Sequence, residues 1–231
     1  MKKFEFEPKR HRYFLDGKPM TGVTTILGVI AKPALISWSA RMAAEYVLEN
    51  LKSMDDLEVV CEEAKKAHTK KKDEAAQKGT DVHAIVEEIV KDAIATNNGK
   101  LKVEKHENEQ VQKFINWAKE NEVKFLESEN QVYSEKHFYA GTYDLLLEMS
   151  GRRYIGDIKT SNGIYGREFF AQMAAYRLAW EEMEKRDPID GSIIIRIGKD
   201  GSFETKESFD YDTDAKMFLA ALEIYRISNN Y

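Results

Sequence analysis

Apolar and polar residues alternate in short runs near the start of the chain. Phe4 and Phe6 flank a polar residue, Asp16-Gly17 is typical of a tight turn, and residues 23–26 form the β-branched run Val-Thr-Thr-Ile. This alternation and composition predict strands rather than helices. We therefore expect short strands and turns over residues 4–30, forming a small sheet at the edge of the domain.

Helical spacing begins at Pro33, a residue suited to a first helical turn. From Pro33 to about Asn50 apolar residues recur every three or four positions, which predicts a helix. A second helix is expected from about Asp55 to Gln77, with Gly79 ending it and Thr80 capping a third helix. The apolar stripe of the third helix consists of Val82, Ile85, Val86, Ile89 and Val90.

A turn at Asn97-Asn98-Gly99 precedes a fourth predicted helix, from Glu107 to about Asn121, after which the chain changes character. Strand-like and helical stretches follow one another from there to the C-terminus. Strands are predicted over Val123–Tyr133, Tyr139–Glu148, Arg153–Thr160 and Ser192–Ile197, and helices over Phe169–Lys185 and Asp210–Ile227. This order predicts an α/β (α+β) fold in which helices flank a central mixed β-sheet.

No internal repeat or low-complexity linker marks a domain boundary in the sequence. We therefore expect residues 1–231 to form a single domain, with 1–122 mainly helical beside a small edge sheet and 123–231 forming the sheet core. The chain has 231 residues, 35 Lys and Arg against 40 Asp and Glu, and a formal net charge of −5. This composition is that of an ordinary globular domain.

Cysteine content limits the possible chemistry. Cys61 is the only cysteine, which excludes an intramolecular disulfide, a zinc site built from several cysteines and a four-cysteine iron–sulfur cluster. The first ten residues lack the apolar core of a signal peptide, and no apolar run reaches the length of a membrane helix. We expect a cytoplasmic protein, in a bacterium or a phage-infected cell, with no membrane partner.

Two basic stretches stand out in this mildly acidic chain. Residues 1–19 carry Lys2, Lys3, Lys9, Arg10, Arg12 and Lys18, and residues 65–72 carry Lys65, Lys66, Lys70, Lys71 and Lys72. The second stretch is typical of a solvated helix face and also suits a nucleic-acid backbone.

The most informative segment contains two strand-like runs around Ser150-Gly151, which can form a two-residue hairpin turn. That turn places Glu148 opposite Arg153, a favourable cross-strand charge pair, and two apolar residues opposite each other at the next position on that face. The same register places Asp144 opposite Asp157. Two carboxylates then face each other across the hairpin.

Strand side chains alternate between faces, so Asp157 and Lys159 share one face and Asp144 joins them. Opposed carboxylates repel each other, and a divalent cation relieves that repulsion. Oxygen ligands suit Mg²⁺ or Mn²⁺, and the lysine can orient or deprotonate a water and offset charge on a phosphate. An ordinary hairpin with a solvated polar face also fits these residues, because five other acid-x-Lys triplets occur in the chain.

Four motifs together resemble the PD-(D/E)XK nuclease superfamily, in particular its RecB-type exonuclease branch, which includes phage exonucleases and the mitochondrial genome maintenance exonuclease. In the family's order the motifs are Gly79-Thr-Asp-Val-His83, Gly141-Thr-Tyr-Asp144, Asp157-Ile-Lys159-Thr160-Ser161 and Gln172-Met-Ala-Ala-Tyr176. The resemblance spans roughly residues 20–200. It implies a restriction-endonuclease-like core behind a helical N-terminal half.

The resemblance also implies the roles of individual residues. Asp144 and Asp157 would be metal ligands, with the main-chain carbonyl of Ile158 contributing, and Lys159 would position or activate the attacking water. His83 would be a further metal ligand. Without the family, a single histidine at the border of an apolar stripe is as readily a structural residue.

Supporting residues are assigned in the same way. Glu129 occupies the place of the family's preceding acidic residue, although Glu127 is close by and either can face solvent. Gln172 and Tyr176 share a helix face and can reach the active-site groove, or can simply pack within an amphipathic helix. The hydroxyls of Thr160 and Ser161 could be offered to a backbone phosphate.

The expected function is that of a Mg²⁺- or Mn²⁺-dependent DNA exonuclease in phage or bacterial recombination or repair. It would act on single strands or duplex ends, with a recombination or replication protein as a possible partner and without an iron–sulfur cluster. Two alternatives remain at this point. One is a nucleic-acid-binding module that keeps the fold but does not cut, and the other is a phosphodiesterase for RNA or small nucleotides.

Overall fold

A computed structural model of the protein describes residues 3–161, 163–183 and 188–229, with the backbone alone for residues 34 and 74–80. The chain folds into two compact units. One comprises Met1–Ile30 with Val82–Tyr231, and the other comprises Ala31–Asp81. The strands and the residues of the candidate site described below belong to the first unit.

Within its described residues the chain forms eight strands and six α-helices. The strands are β1 (Phe4–Glu7), β2 (Arg12–Leu15), β3 (Lys18–Gly22), β4 (Lys124–Ser134), β5 (Tyr139–Met149), β6 (Arg152–Lys159), β7 (Gly191–Ile197) and β8 (Phe203–Ser208). The helices are α1 (Val23–Leu27), α2 (Pro33–Asn50), α3 (Leu57–Thr96), α4 (Glu109–Glu120), α5 (Glu168–Glu182) and α6 (Tyr211–Ser228). Short 3-10 turns cover Pro8–Arg10 and Met54–Asp56.

A mixed sheet forms the centre of the first unit. Within the described residues it has eight strands in the order β1-β2-β3-β5-β6-β7-β8, with β4 also paired to β5. The pairs β3–β5 and β6–β7 are parallel and the remaining pairs are antiparallel. The predicted fold class, a central mixed sheet flanked by helices, is confirmed.

Strand β5 is shared by three neighbours, and this arrangement positions the site. β4 pairs along one edge of β5 over nearly its whole length. On the other edge, β3 pairs with Tyr139 and Ala140, whereas β6 pairs from Leu145 to Met149. Between Ala140 and Leu145 that edge forms no ladder pair with any strand of the described chain. The sheet is therefore split beside residues 141–144.

Two hydrophobic cores cover the two faces of the sheet. On one face α1, α5 and α6 pack against strand residues such as Leu146, Ile155 and Ile194. On the other face the C-terminal part of α3 and α4 pack against Leu145, Ile158 and other strand residues. Helix α5 is buried on several sides, which is why it lacks a single apolar stripe. Side chains from the helices on either face can therefore reach the split in the sheet.

The predicted hairpin register is confirmed. Glu148 pairs with Arg153, and Leu146 with Ile155. Ser150 and Gly151 adopt φ values of 52° and 73°, as a type I′ turn requires at both central residues. The last ladder pair is Leu145 with Gly156, so the next register step, Asp144 and Asp157, lies where the two strands separate.

The other predicted elements mostly lie where expected. The helix from Pro33 to Asn50, the turn at Asn97–Gly99 and the later strands are confirmed, within one or two residues at their ends. The predicted end of α5 at Lys185 lies outside the described residues. Among those residues, no helix combines the length and the apolar character that a membrane crossing requires.

Three expectations were wrong or incomplete. Residues 23–26 are helical, because Val23, Ile26 and Leu27 all face the core and burial outweighs β-branched preference. Gly79 does not end a helix, because α3 runs without a break from Leu57 to Thr96, and one interior glycine costs a helix only about 1 kcal/mol. Strand β8 was not predicted from the sequence, because its mainly polar residues at the sheet edge form only a weak hydrophobic pattern.

Candidate active site and metal centre

Asp144 lies at the split in the sheet, where the β5–β6 ladder ends. Its Oδ2 accepts a hydrogen bond of 2.7 Å from the main-chain N–H of Ile158. This contact links β5 to β6 one step beyond their last ladder pair and fixes the carboxylate in the gap. Ile158 contacts the site through its N–H, and its side chain is buried in the core formed with α3 and α4.

His83 reaches the same carboxylate from the opposite helical layer. Its Nε2 lies 3.1 Å from Asp144 Oδ2, and the two side chains are 28% and 16% exposed. His83 follows Val82, whose side chain is buried against the sheet as part of α3. The hydrogen bond to Asp144 raises the pKa of His83 in spite of partial burial. The sequence-predicted histidine and aspartate are therefore brought together.

Asp157 and Lys159 form a buried ion pair on β6. Lys159 Nζ lies 2.6 Å from Asp157 Oδ2, and the side chains are 24% and 3% exposed. Burial raises the pKa of Asp157 to about 6, against the opposing attraction of Lys159. Burial alone would lower the pKa of Lys159, but the charges of Asp157 and Asp144 outweigh it and the pKa is raised. Lys159 therefore carries its proton at neutral pH.

Gln172 connects Asp157 to helix α5. Its Nε2 donates to Asp157 Oδ1 at 3.2 Å and to the hydroxyl of Tyr176 at 3.0 Å. Burial, together with the nearby Asp157 charge, raises the pKa of Tyr176 well above its ordinary value. A Cβ on Gly141 would lie 2.3 Å from Tyr176 Cε1. The glycine of the Gly141–Asp144 motif therefore makes room for the ring that holds Gln172.

Glu129 supplies a third carboxylate from β4. Asn130 pairs with Tyr143 and Ser128 with Leu145, which places Glu129 opposite Asp144. Its backbone is left-handed, with φ of 54°, and this interrupts the ladder at that point. Burial, followed by the charges of Asp144 and Glu87, raises the pKa of Glu129 to about 7.

The neighbouring Glu127 is engaged elsewhere. It accepts hydrogen bonds from the side chains of Asn130 and Tyr143. Of the two glutamates that the sequence left as alternatives, the structure brings Glu129 into the cluster. Glu129, Asp144 and Asp157 thus occupy three adjacent strands at corresponding positions.

Glu87 belongs to the cluster and was missed by the sequence analysis. One potential ligand atom from each of His83, Glu87 and Glu129 can be chosen so that all three lie within 4.8 Å of one another. Glu87 also pairs with Lys91, one turn further along α3. The available signal was the spacing of four residues between His83 and Glu87, which places both on one face of a helix.

These residues fit a hard divalent cation. The available donors are carboxylate oxygens and one imidazole, a set that suits Mg²⁺ or Mn²⁺. Asp157 Oδ2 is buried and accepts no hydrogen bond of regular geometry from any described residue. This oxygen is ion-paired with Lys159, and one of its lone pairs remains available to a metal ion. The raised pKa values of Glu129 and Asp157 reflect burial and carboxylate crowding, which a bound cation would offset.

Thr160 and Ser161 follow β6 but are not drawn into the carboxylate cluster by the contacts described. The Ser161 hydroxyl donates to the carbonyl of Gly163 at 3.1 Å. Arg196 on β7 pairs with Lys159 in the parallel register and donates to the carbonyl of Ser161 at 3.1 Å. Arg196 therefore anchors the loop that leaves the site, a role that the sequence analysis did not foresee.

The basic stretch at residues 65–72 lies on α3, in the second unit. Three of its five lysines are paired with acids of the preceding turns, because Lys65 contacts Glu62 and both Lys66 and Lys70 contact Glu63. Much of its charge is thereby neutralised locally. This arrangement is that of a solvated helix face.

No protein-family model matches the chain, and no curated protein matches it. Among solved structures, one described as "Crystal structure of SSO0001" is 12% identical, with a TM-score of 0.37. That similarity covers 82% of this chain and 86% of the other.

Proposed function

We propose that this protein is a Mg²⁺- or Mn²⁺-dependent nuclease that hydrolyses phosphodiester bonds in DNA. One observation carries the proposal: Asp144, Asp157 and the protonated Lys159 converge at the split in the sheet. His83 contacts the Asp144 carboxylate, and Glu129 lies opposite Asp144 on β4. Carboxylates on adjacent strands beside a lysine form a site suited to phosphoryl transfer rather than to acyl or hydride transfer.

The residues that would hold the cation are Asp144, Asp157, His83, Glu87 and Glu129. When bound, Mg²⁺ or Mn²⁺ supplies Lewis-acid polarisation of the phosphate and a lowered pKa for a nearby water. Hydrolysis adds that water to phosphorus and breaks the bond to the leaving oxygen, which takes up a proton. The remaining chemistry falls to the side chains of the chain itself.

Lys159 acts in this proposal as a positively charged donor. Because its pKa is raised, it is protonated at neutral pH and serves to orient the water and offset charge on the phosphate. Gln172 holds Asp157 in place, and the Ile158 N–H and His83 hold Asp144. The side chains of Asp157, Gln172, Asp144 and His83 are thereby held in place before substrate binds, which lowers the free-energy cost of reaching the reactive geometry.

The choice of DNA and of an exonuclease, in phage or bacterial recombination or repair, rests on the four motifs that resemble the RecB-type branch. It is tested by digestion of end-labelled single- and double-stranded DNA with Mg²⁺, Mn²⁺ or EDTA. Asp157→Asn and Lys159→Met are assayed beside Lys124→Met. Lys124 also lies on a strand and pairs with a carboxylate, Glu148 at 3.6 Å, but at the far end of the sheet.

Metal-dependent cutting that both site variants reduce by at least a thousandfold, and that Lys124→Met leaves intact, is the expected result. Stepwise release of label from one end would establish exonuclease action and its polarity. Cutting of RNA but not DNA would favour the phosphodiesterase alternative. Binding without cutting, unchanged in both site variants, would overturn the proposal in favour of a non-catalytic module.

A further inference from the structure

An exposed basic turn lies next to the candidate site. Lys9, Arg10 and His11 lie between β1 and β2, and Arg12 begins β2; all four are exposed, and together they are called the Lys9–Arg12 turn. Arg10 lies 3.8 Å from Glu7, whereas Lys9 and Arg12 form no ion pair with any side chain that the structure describes. The chain as a whole has a net charge of −5, so this is a local concentration of positive charge on an acidic protein.

Two consecutive hydrogen bonds connect the turn to strand β5. His11 Nε2 lies 2.8 Å from the Tyr13 hydroxyl, and that hydroxyl lies 3.0 Å from Thr142 Oγ1. Thr142 is two residues before Asp144 on β5, about 7 Å away along the strand. The Tyr13 side chain, which is buried, therefore connects the turn to β5 beside the split in the sheet.

The charge of the site makes such a turn useful. The cluster contains four carboxyl groups, from Glu87, Glu129, Asp144 and Asp157, beside His83 and the protonated Lys159. Its negative charges repel a polyanion. Burial raises the pKa of the Tyr13 hydroxyl, the hydrogen bond with Thr142 opposes that rise, and the charge of Glu129 adds a smaller increase. Cations beside the cluster would attract the phosphates that flank the reacting one.

We propose that the Lys9–Arg12 turn binds the backbone of the nucleic-acid strand whose phosphodiester is hydrolysed. This rests on the proposed function, and it narrows the substrate to a nucleic-acid strand that extends beyond the reacting phosphate. Tyr13 positions the turn.

The test is equilibrium binding of a fluorescent 20-nucleotide single strand in EDTA, where no cutting occurs, over a range of salt concentrations. Wild type is compared with the triple variant Lys9→Gln, Arg10→Gln, Arg12→Gln. A matched triple variant, Lys100→Gln, Lys102→Gln, Lys105→Gln, removes the same charge from an exposed segment elsewhere on the first unit. Circular dichroism shows whether each variant is folded.

We expect the turn variant to bind on the order of a hundredfold more weakly at 50 mM salt. Its plot of log affinity against log salt should be shallower by about 2, because each lost single-strand phosphate contact removes about 0.7 from the slope. The matched variant should retain the wild-type slope. Tyr13→Phe, which keeps the ring but removes the linking hydroxyl, should weaken binding several-fold without changing the slope.

An unchanged slope in the turn variant, or an equal change in the matched variant, would overturn the proposal. So would failure of the wild type to bind the strand in EDTA. A parallel digestion with Mn²⁺ separates the two proposals. If the wild type cuts DNA and the turn variant binds and cuts equally well, the proposal about the turn is contradicted and the nuclease proposal is not. If the wild type binds the strand but does not cut it, the nuclease proposal is contradicted.

Discussion

His83 and Asp144 lie 61 positions apart in the chain, and His83 Nε2 is 3.1 Å from Asp144 Oδ2. The contact is possible because β5 loses its ladder partner beside residues 141–144. An intact sheet would separate the layer of α3 from the layer of α5. At the split, His83 from one layer contacts Asp144 and Gln172 from the other layer contacts Asp157. The candidate site is therefore a consequence of strand topology as much as of residue identity.

Breaking the Asp157–Lys159 pair should destabilise the metal-free protein. Lys159→Met leaves a carboxylate that is 3% exposed without its cation, which we expect to lower the free energy of unfolding by about 3 kcal/mol. Adding Asp157→Asn should restore at least half of that loss, because the unpaired charge is removed. Urea denaturation in EDTA measures both effects. A double variant no more stable than Lys159→Met would show that the lysine contributes through packing instead.

Replacing Gly141 should disturb the site through Tyr176. The new methyl group of Gly141→Ala would lie 2.3 Å from Tyr176 Cε1, and overpacking of this kind costs about 1 to 3 kcal/mol. We expect lower stability and slower DNA cutting, because the displaced ring no longer holds Gln172. Thermal denaturation and end-label release measure the two effects.

Gly22→Ala is a suitable control for the Gly141 variant. A Cβ there would meet its nearest neighbours at 3.7 Å, an ordinary contact distance. If Gly141→Ala and Gly22→Ala lowered stability equally, the close approach to Tyr176 would not be the cause. Tyr176→Leu combined with Gly141→Ala should recover stability but not cutting.

The stability of the metal-free protein should fall as the pH rises through the range in which Glu129 ionises. The pKa of Glu129 in the fold is about 7, above its ordinary value of 4.5. Between these values the folded state holds more protons than the unfolded chain, so a rise in pH favours unfolding. Glu129→Gln should show a smaller decline between pH 5 and pH 8. Differential scanning fluorimetry in EDTA measures this difference.

The exposed Glu88 provides the comparison for that experiment, and Glu88→Gln should keep the wild-type pH profile. Mn²⁺ should raise the melting temperature of the wild type more at pH 8 than at pH 5.5, because its carboxylate ligands must be deprotonated. An identical pH profile for wild type and Glu129→Gln would contradict the assignment of the raised pKa.

The hairpin turn offers a stabilising substitution. Ser150 adopts a φ of 52° immediately before Gly151 at 73°, and asparagine tolerates this left-handed region better than serine does. Ser150→Asn should raise the free energy of unfolding by about 0.5 kcal/mol. Gly151→Ala should lower it by about 1 kcal/mol, because alanine is strained at positive φ. Chemical denaturation tests both signs, and a destabilising Ser150→Asn would argue against the turn type.

Local features of the sequence were sufficient to predict the hairpin and its register. The two-residue turn and the Glu148–Arg153 pair are close in the chain, and a shift of one residue would move every side chain to the opposite face. Asp144, Asp157 and Lys159 follow from that register alone. The helix beginning at Pro33 was predictable for the same reason, since spacing and the first-turn proline are local.

Tertiary packing decided the rest, because the deciding contacts are distant in the chain. Burial of Val23, Ile26 and Leu27 made a helix from a β-branched run. The register of β4 on β5, together with a left-handed backbone, selected Glu129 over Glu127, and the position of α3 brought Glu87 beside it. The sequence determined which residues could perform the chemistry. The split in the sheet determined which of them meet, because there His83 from one helical layer and Gln172 from the other reach the neighbouring carboxylates Asp144 and Asp157.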